Sequence, residues 1–493
     1  MTQLPVASPS QMGVDPKAIL GLLNAAAAKH INLNGIVLVR HGHVISKGWY
    51  KPYREDLRHM LFSLTKSFMS TAAGFAIQEG LLSLDAPVVS FFPEKLPSPP
   101  CANMLAMKVR HLLGMCTGHT SEPSIDEDFI RTFLTSYVPL EPGSRFLYNT
   151  AGSCMAGAII EKATGAHLDE YLKPRLFTPL GIEDYCWERL PGDICTGGYG
   201  LSLRTGDIAK FGQFLLQRGQ WDGKQLLNSE WVDDATSFHI RQPDSTPDWC
   251  AGYGYQFWRC AREDAFRGDG AFGQLCVVLP KHDMVLAVNA GLGDMQEEMD
   301  LFFDELTPGL HDHPIPEDAA AQAELDARLG SLSVEPIALT ADNGSIDKDQ
   351  PPRAASLPDA PEGVATYMLA DNVLGVKSVV VSLGRNDAVD SFTLQYENAS
   401  ATIRAGTRRW IETDYNREGY AAAPSSLDSG VTPYPLSAMC AVEDGVWHIR
   451  VVYTTTPFID DIRVTFVGGA IRVNYSRNVG FRQVNLNLIG LRQ

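Results

Sequence analysis

The stretch LFSLTKSFMS, residues 61–70, holds Ser63 and Lys66 in the spacing S-x-x-K. Spacing alone is a weak signal, because SIDK, Ser345 to Lys348, matches it equally well in the same chain. The surroundings separate the two. On a helix over 63–79, Ser63, Lys66, Ser67, Ser70 and Gly74 share one stripe. Most other positions are apolar: Leu64, Phe68, Met69, Ala72, Ala73, Phe75, Ala76 and Ile77. A surface helix studs its polar side with charges, whereas this one carries a single lysine among small hydroxyls. It reads as a helix buried nearly all round, stopped by Gly80.

Burial bears on the chemistry. A serine hydroxyl is a poor nucleophile until a base takes its proton. A lysine can be that base only when its amine is neutral, and burial favours the neutral form. A serine at a helix start also lies where the dipole stabilises an oxyanion. On these residues alone two readings stay open. One is a nucleophile beside its base. The other is an N-cap serine followed by a first-turn lysine that reaches solvent.

Working outward, 493 residues exceed the size of one core and predict more than one domain. The sequence divides into a mixed region over 1–333, a linker over 334–363 and an all-β region over 364–493. In the first, residues 34–50 read as two strands around His41-Gly42-His43. Residues 64–79, 151–165, 208–219, 295–306 and 317–332 read as helices, and 274–291 as a hairpin of buried strands. The linker is rich in Pro, Gly, Ser and Asp and has no periodicity. Ser345 and Lys348 fall inside it, where no helix aims both side chains at one point. In the third region Trp447, Ile449, Val451 and Tyr453 alternate with mostly polar residues, as do Ile462, Val464 and Phe466. After the turn Gly468-Gly469, Ile471, Val473 and Tyr475 continue the pattern, which predicts an antiparallel meander closing into a small barrel.

Composition limits the function classes. The net charge of −17 argues against nucleic acid and anionic membrane surfaces as partners. No apolar run is long enough to span a bilayer, and the N-terminus lacks the pattern of a secretory leader. Nine scattered cysteines without CxxC pairs fit reduced thiols in the cytoplasm, so Asn343, Asn398 and Asn474 in N-x-S carry no glycosylation message. His41 with His43 and His311 with His313 lack a third ligand nearby, so no metal is expected. No pattern specifies an oligomeric state.

A second phrase, PLEPGSRFLYNTAGSCMAGAIIEKATG (139–165), sets Tyr148 just before a helix. Together with SLTKS, VRHLLGMCTGHTSE (109–122) and GGYGLSLRTGDIAKFGQ (197–213), it resembles the serine β-lactamase and penicillin-binding-protein superfamily. The likeness is to class C β-lactamases and the related esterases and D-aminopeptidases, and covers about residues 10–333. It implies an α+β catalytic domain, an antiparallel sheet flanked by helices with a helical subdomain, ahead of the lipocalin-like barrel. It also implies that Ser63 is the acyl-forming nucleophile, Lys66 its base, and Tyr148 the residue that shuttles a proton to the leaving group. A phenol beside a lysine ammonium is expected to have a lowered pKa.

Two departures from the family pattern stand out. The third residue of the family's Y-x-N element is Thr150, so recognition of a substrate amide there is altered. The family's K-T-G or H-x-G element, on an edge strand, aligns with RGDGAFGQ (267–274), where Gly268-Asp269-Gly270 stands instead. Ala271 would supply the second oxyanion-hole N–H after that of Ser63. The basic side chain that helps bind a β-lactam carboxylate is missing, which predicts poor β-lactam turnover. Asp269 either faces the pocket and favours neutral or cationic substrates, or turns away toward Arg267 or solvent. Tyr253, Tyr255, Phe257 and Trp258 read as core residues rather than an acyl pocket.

The resulting expectation is a cofactor-free serine hydrolase acting on a small ester or amide. The same acyl-serine would serve an acyltransferase of secondary metabolism. A non-acylating cyclase or lyase, or a non-catalytic binding protein, are the alternatives.

Overall fold

A computed structural model describes residues 3–243, 245–334, 357–372, 375–384, 389–398, 400–415, 434–481 and 485–493. Most of the stretch read as a linker lies outside the described residues, and so do Ser345 and Lys348. The chain divides into two compact units. One comprises Met1–Trp49, Arg58–Ala290 and Asp294–Leu332, and the other Tyr50–Leu57, Gly291–Gly293 and Ser333–Gln493.

The first unit is built on a six-stranded antiparallel sheet. Its strands are β1 (Leu33–Arg40), β2 (His43–Trp49), β3 (Trp258–Arg259), β4 (Phe266–Gly270), β5 (Gln274–Leu279) and β6 (Met284–Ala290), in the order β3-β4-β5-β6-β1-β2. The β1–β2 turn is made by His41 and Gly42, both at positive φ, as the Gly-containing turn predicted. The β5–β6 hairpin turns through Pro280–His282 and Asp283 at φ 45°.

Both faces of β5 and β6 are buried, and side chains alternate between two helix layers. Val277, Leu279, Met284 and Leu286 meet Met299, Phe302, Phe303 and Leu306 of the segment that begins with the helix Met295–Glu305. Cys276 and Val285 face the opposite way, toward Gly212 of the helix Thr205–Leu216. Numbered along the chain, the longer helices are α1 (Pro16–Ala28), α2 (Thr65–Gln78), α3 (Thr150–Thr164), α4 (Thr205–Leu216), α5 (Met295–Glu305) and α6 (Ala319–Gly330), with shorter helices between them. Asp15, Asn149, Asp294 and Asp318 cap the starts of α1, α3, α5 and α6 through their side chains. Helix α2 is buried from Thr65 to Ala76, which is why its sequence has almost no charged face.

The second unit contains β7 (Val364–Leu369), β8 (Ser378–Ser382), β9 (Asp390–Gln395), β10 (Ser400–Thr407), β11 (Ile411–Tyr415), β12 (Tyr434–Glu443), β13 (Val446–Tyr453), β14 (Ile459–Val467), β15 (Ala470–Arg477) and β16 (Asn485–Arg492). They pair in the order β10-β9-β8-β7-β16-β15-β14-β13-β12-β11, and β10 also pairs with β12. That last contact is parallel, Gly406 opposite Met439, and it closes a nine-strand barrel in which the other described pairings are antiparallel. The alternating residues read from the sequence fill the interior: Trp447, Ile449, Val451, Ile462, Val464, Phe466, Ile471 and Val473 are all buried. Asp460 holds Arg477 through two hydrogen bonds, at 2.7 and 3.0 Å, and accepts others from the hydroxyls of Tyr453 and Tyr475.

Candidate active site

Ser63 lies in a single 3-10 turn, Phe62–Leu64, that runs straight into α2. No side chain caps α2, so the N-cap alternative for Ser63 does not hold. Lys66 is 1% exposed and does not reach solvent. Its Nζ lies 2.9 Å from Ser63 Oγ, 2.7 Å from the Gly198 carbonyl oxygen and 3.4 Å from Thr150 Oγ1. Burial lowers the Lys66 amine to about 8, against the opposing pull of Cys154, Glu122 and Asp269. An amine there is deprotonated far more readily than one in water, and it already faces the hydroxyl it would serve.

The remaining hydroxyls of the polar stripe have other partners. Ser67 Oγ donates to the Gln256 carbonyl at 2.9 Å and Ser70 Oγ to the Tyr255 carbonyl at 2.7 Å. The stripe therefore divides into a reactive end and a structural end that ties α2 to residues 255–256.

Tyr148 enters from the segment before α3 and lies beside Ser63, whose hydroxyl favours the phenolate. Lys66 Nζ lies 4.9 Å from the centre of the phenol ring. The ring stacks on Trp258, with centroids 5.8 Å apart and planes 16° from parallel. Tyr253 stands edge-on to both rings. Here the sequence expectation is reversed: the Tyr148 phenol is raised, not lowered. Burial penalises the phenolate more than the nearby Ser63 hydroxyl favours it, and the charges of Asp269 and Glu122 add to the penalty. Tyr148 is thus held as a neutral phenol, suited to give a proton.

Asn149, between Tyr148 and Thr150, accepts from Gly152 N–H and caps α3. Thr150 is the first residue of that helix, with its hydroxyl toward Lys66. Tyr253, Tyr255, Phe257 and Trp258 are buried, in line with the core reading, although Tyr253 and Trp258 also wall in Tyr148.

The strand with Gly268-Asp269-Gly270 is β4; the two-residue β3 pairs with its Phe266 and Arg267 and leaves Gly268 to Gly270 at the edge of the sheet. Strand alternation sends residues 268 and 270 one way and 267 and 269 the other. A Cβ on Gly268 would stand 2.3 Å from Leu64 Cδ1 and 2.7 Å from Ser67 Oγ. A Cβ on Gly270 would stand 2.1 Å from the Leu61 carbonyl oxygen. The glycines let β4 press against the segment that carries Ser63. A side chain at 268 would have to move the side chains of Leu64 and Ser67. Asp269 Oδ2 pairs with Nε of the fully buried Arg267 at 2.9 Å, so the alternative in which it turns toward Arg267 is the observed one. Ala271 follows at the end of β4, partly exposed.

Two contributors carried no motif of their own. Gly198 lies within the GGYG run, but only its carbonyl matters, and sequence does not reveal which carbonyl a buried lysine will find. Glu122 Oε1 accepts from Ala151 N–H at 2.9 Å, next to Thr150, and its charge reaches both Lys66 and Tyr148. Among the described residues, no three His, Cys, Asp or Glu side chains gather as a metal site. His41 instead bonds Asp283 at 2.8 Å. Among the described residues, no helix is long and apolar enough to cross a membrane.

The β-lactamase family profile matches residues 25–298, which contain Ser63, Lys66, Tyr148 and Gly268 to Ala271. The chain belongs to the β-lactamase family. Among its curated relatives in that family, 6-aminohexanoate-dimer hydrolase of Paenarthrobacter ureafaciens is 22% identical over 292 residues, covering 51% of this chain and 71% of that protein. Esterase EstB of Burkholderia gladioli is 25% identical over 211 residues, 36% of this chain and 53% of EstB, so the chain spans about half of that relative. Among solved structures, the octameric penicillin-binding protein homologue from Pyrococcus abyssi is 16% identical with a TM-score of 0.49, covering 96% of this chain and 99% of that one.

Proposed function

We propose that this β-lactamase-family protein is a serine hydrolase acting on an ester or amide through an acyl-serine intermediate. The observation that carries the reading is the 2.9 Å contact between Lys66 Nζ and Ser63 Oγ in a site that lowers the lysine to about 8. The hydrolase and esterase names of the relatives support the reaction class.

In this reading neutral Lys66 takes the Ser63 proton as Oγ attacks the carbonyl carbon. The N–H groups of Ser63 and Ala271 receive the oxyanion. Two contacts support that pairing: Gly270 against Leu61, and the Phe62 ring edge-on to Phe272 at 5.3 Å, which bracket the two donors. Tyr148, held neutral by burial, gives its proton to the leaving group and is reprotonated by Lys66, which holds the proton taken from Ser63. Thr150 and the Gly198 carbonyl keep the Lys66 amine aimed at Ser63. Water then releases the acyl group by the same proton path in reverse.

β-Lactams are poor substrates in this reading, because Leu64 and Ser67 occupy the space a basic side chain at 268 would need. Asp269 is paired with Arg267 and does not present a free carboxylate to the substrate, although its charge still reaches Lys66 and Tyr148.

Intact-mass spectrometry with a fluorophosphonate and a p-nitrophenyl ester tests the proposal. A single adduct on Ser63, absent in Ser63→Ala together with ester turnover, is the expected result. Turnover that survives Ser63→Ala would point instead to chemistry without an acyl-enzyme.

A further inference from the structure

Behind Ala271 a chain of polar side chains, three of them buried, crosses the sheet. Trp49 Nε1 donates to Thr205 Oγ1 at 3.2 Å, and Thr205 Oγ1 donates to Asn289 Oδ1 at 2.8 Å. Asn289 Nδ2 donates to Gln274 Oε1 at 3.0 Å. Gln274 Nε2 then donates twice, to the Ala271 carbonyl at 3.1 Å and the Ala290 carbonyl at 2.8 Å. Every step runs in one direction, so each amide can take only one orientation, and such chains polarise one another. Gln274, Asn289 and Thr205 are all buried. Three buried polar side chains in a core dominated by β-branched and aliphatic residues need a reason, and packing alone does not provide one.

The chain ends at a strained turn. Phe272 has φ 67° and Gly273 φ 92°, and Gly273 N–H returns to the Gly270 carbonyl at 3.3 Å. A residue with a Cβ rarely adopts such a φ unless its surroundings enforce it. The Gly270 carbonyl and the Ala271 N–H share one planar peptide and point in opposite directions. Bonding that carbonyl back into the turn therefore aims the Ala271 N–H outward. Gln274 pins the next peptide, through the Ala271 carbonyl. Both peptide planes flanking the Ala271 Cα are fixed, the second by Gln274. On the other side Phe62, at φ 47°, immediately precedes Ser63, and its ring meets that of Phe272.

We propose that Gln274 is a positioning residue of the oxyanion hole: it holds the Ala271 turn so that the Ala271 N–H meets the developing oxyanion. This rests on the acyl-serine reading above, in which Ser63 and Ala271 supply the two donors. Gln274 touches no substrate and acts only through the Ala271 peptide.

The test compares the full-length protein with Gln274→Met, Gln274→Glu and Ser63→Ala on p-nitrophenyl acetate and its thiono analogue, in which sulfur replaces the carbonyl oxygen. Gln274→Met keeps the shape and removes both donors. It should lower kcat on the oxygen ester roughly 10- to 100-fold, less than the ~10²- to 10³-fold loss of an oxyanion donor because the Ala271 N–H is misplaced and not removed, with little change in KM. It should also shrink the ratio of oxygen-ester to thiono-ester rates, because a misplaced donor costs the oxyanion more than the weakly accepting sulfur. Gln274→Glu keeps the acceptor for Asn289 and, while protonated, one donor. Measured against the parent at the same pH, its kcat should lie between those of the parent and Gln274→Met, and that ratio should fall as rising pH ionises the carboxyl. An unchanged ester-to-thiono ratio in Gln274→Met, or parental kcat for Gln274→Glu throughout the pH range, would overturn the role of Gln274 while Ser63→Ala remains inactive. If Gln274→Met fails to fold, the pH course of Gln274→Glu alone decides. Full turnover by Ser63→Ala would overturn both the acyl-serine reading and this inference.

Discussion

Tyr148 lies nearly parallel to Trp258, 16° between ring planes and 5.8 Å between centroids, and this stack holds the phenol over the Ser63–Lys66 pair. The stack also dries the phenol and raises its pKa, so it remains protonated through neutral pH. Tyr148→Phe keeps the stack and removes the proton. Steady-state kinetics should show kcat lower by roughly 10²- to 10³-fold, within the range for a lost general acid. Trp258→Leu should cost less, about 10-fold, because the phenol survives but its ring loses its support. Equal losses from the two changes would mean that the ring and not the proton is what matters.

Lys66 predicts a pH course. Its amine must be neutral to act, so kcat/KM should rise through about pH 8 and level off above it. Glu122 raises the lysine, so Glu122→Gln should move that midpoint to lower pH. A midpoint that moves to higher pH would contradict the geometry.

The same burial makes Lys66 a cost to folding. Its value is about 8 in the folded state against 10.5 for the free side chain. Between those values the unfolded chain binds the extra proton, so stability rises with pH across that window. Below pH 8 both states are protonated and the penalty is complete. Lys66→Met removes this dependence. From pH 7 to pH 10 the stability difference should move in favour of the parent by about 3 kcal/mol, measured by urea denaturation at each pH.

Gly268 is closed to a side chain by Leu64 and Ser67. Gly268→Ala should destabilise by about 1–3 kcal/mol, the usual range for forcing atoms into a packed core. Gly268→Lys restores the residue type found in β-lactamases, yet it should not produce rapid hydrolysis of a chromogenic cephalosporin. Thermal melts with a cephalosporin assay check both, and a stable, cephalosporin-hydrolysing Gly268→Lys would refute the packing account.

Asp269 is the counter-charge of buried Arg267. Asp269→Asn should cost roughly 3 kcal/mol of stability, because it leaves the guanidinium without its ion partner. The preference between amine-bearing and neutral esters should stay the same. A large change in that preference with unchanged stability would instead make Asp269 a substrate-binding group.

What sequence alone determined was local or periodic. The stripe on residues 63–79 set the burial of α2, and the period-two alternation of 446–475 set which side chains fill the barrel, because both follow from how side chains project along one element. The phrases around Ser63, Tyr148 and Gly268 identified the fold of the catalytic unit and the residues that meet in it. Tertiary structure alone decided the rest. It reversed the expected direction for the Tyr148 phenol, because desolvation depends on what packs around a ring. It turned Asp269 to Arg267 and filled the space beside Gly268 with Leu64, since alternation along a strand gives two faces without saying what lies over each. It matched Lys66 with the Gly198 carbonyl and threaded Gln274 to the Ala271 turn, contacts between residues far apart in the chain that depend on the folded approach of separate segments.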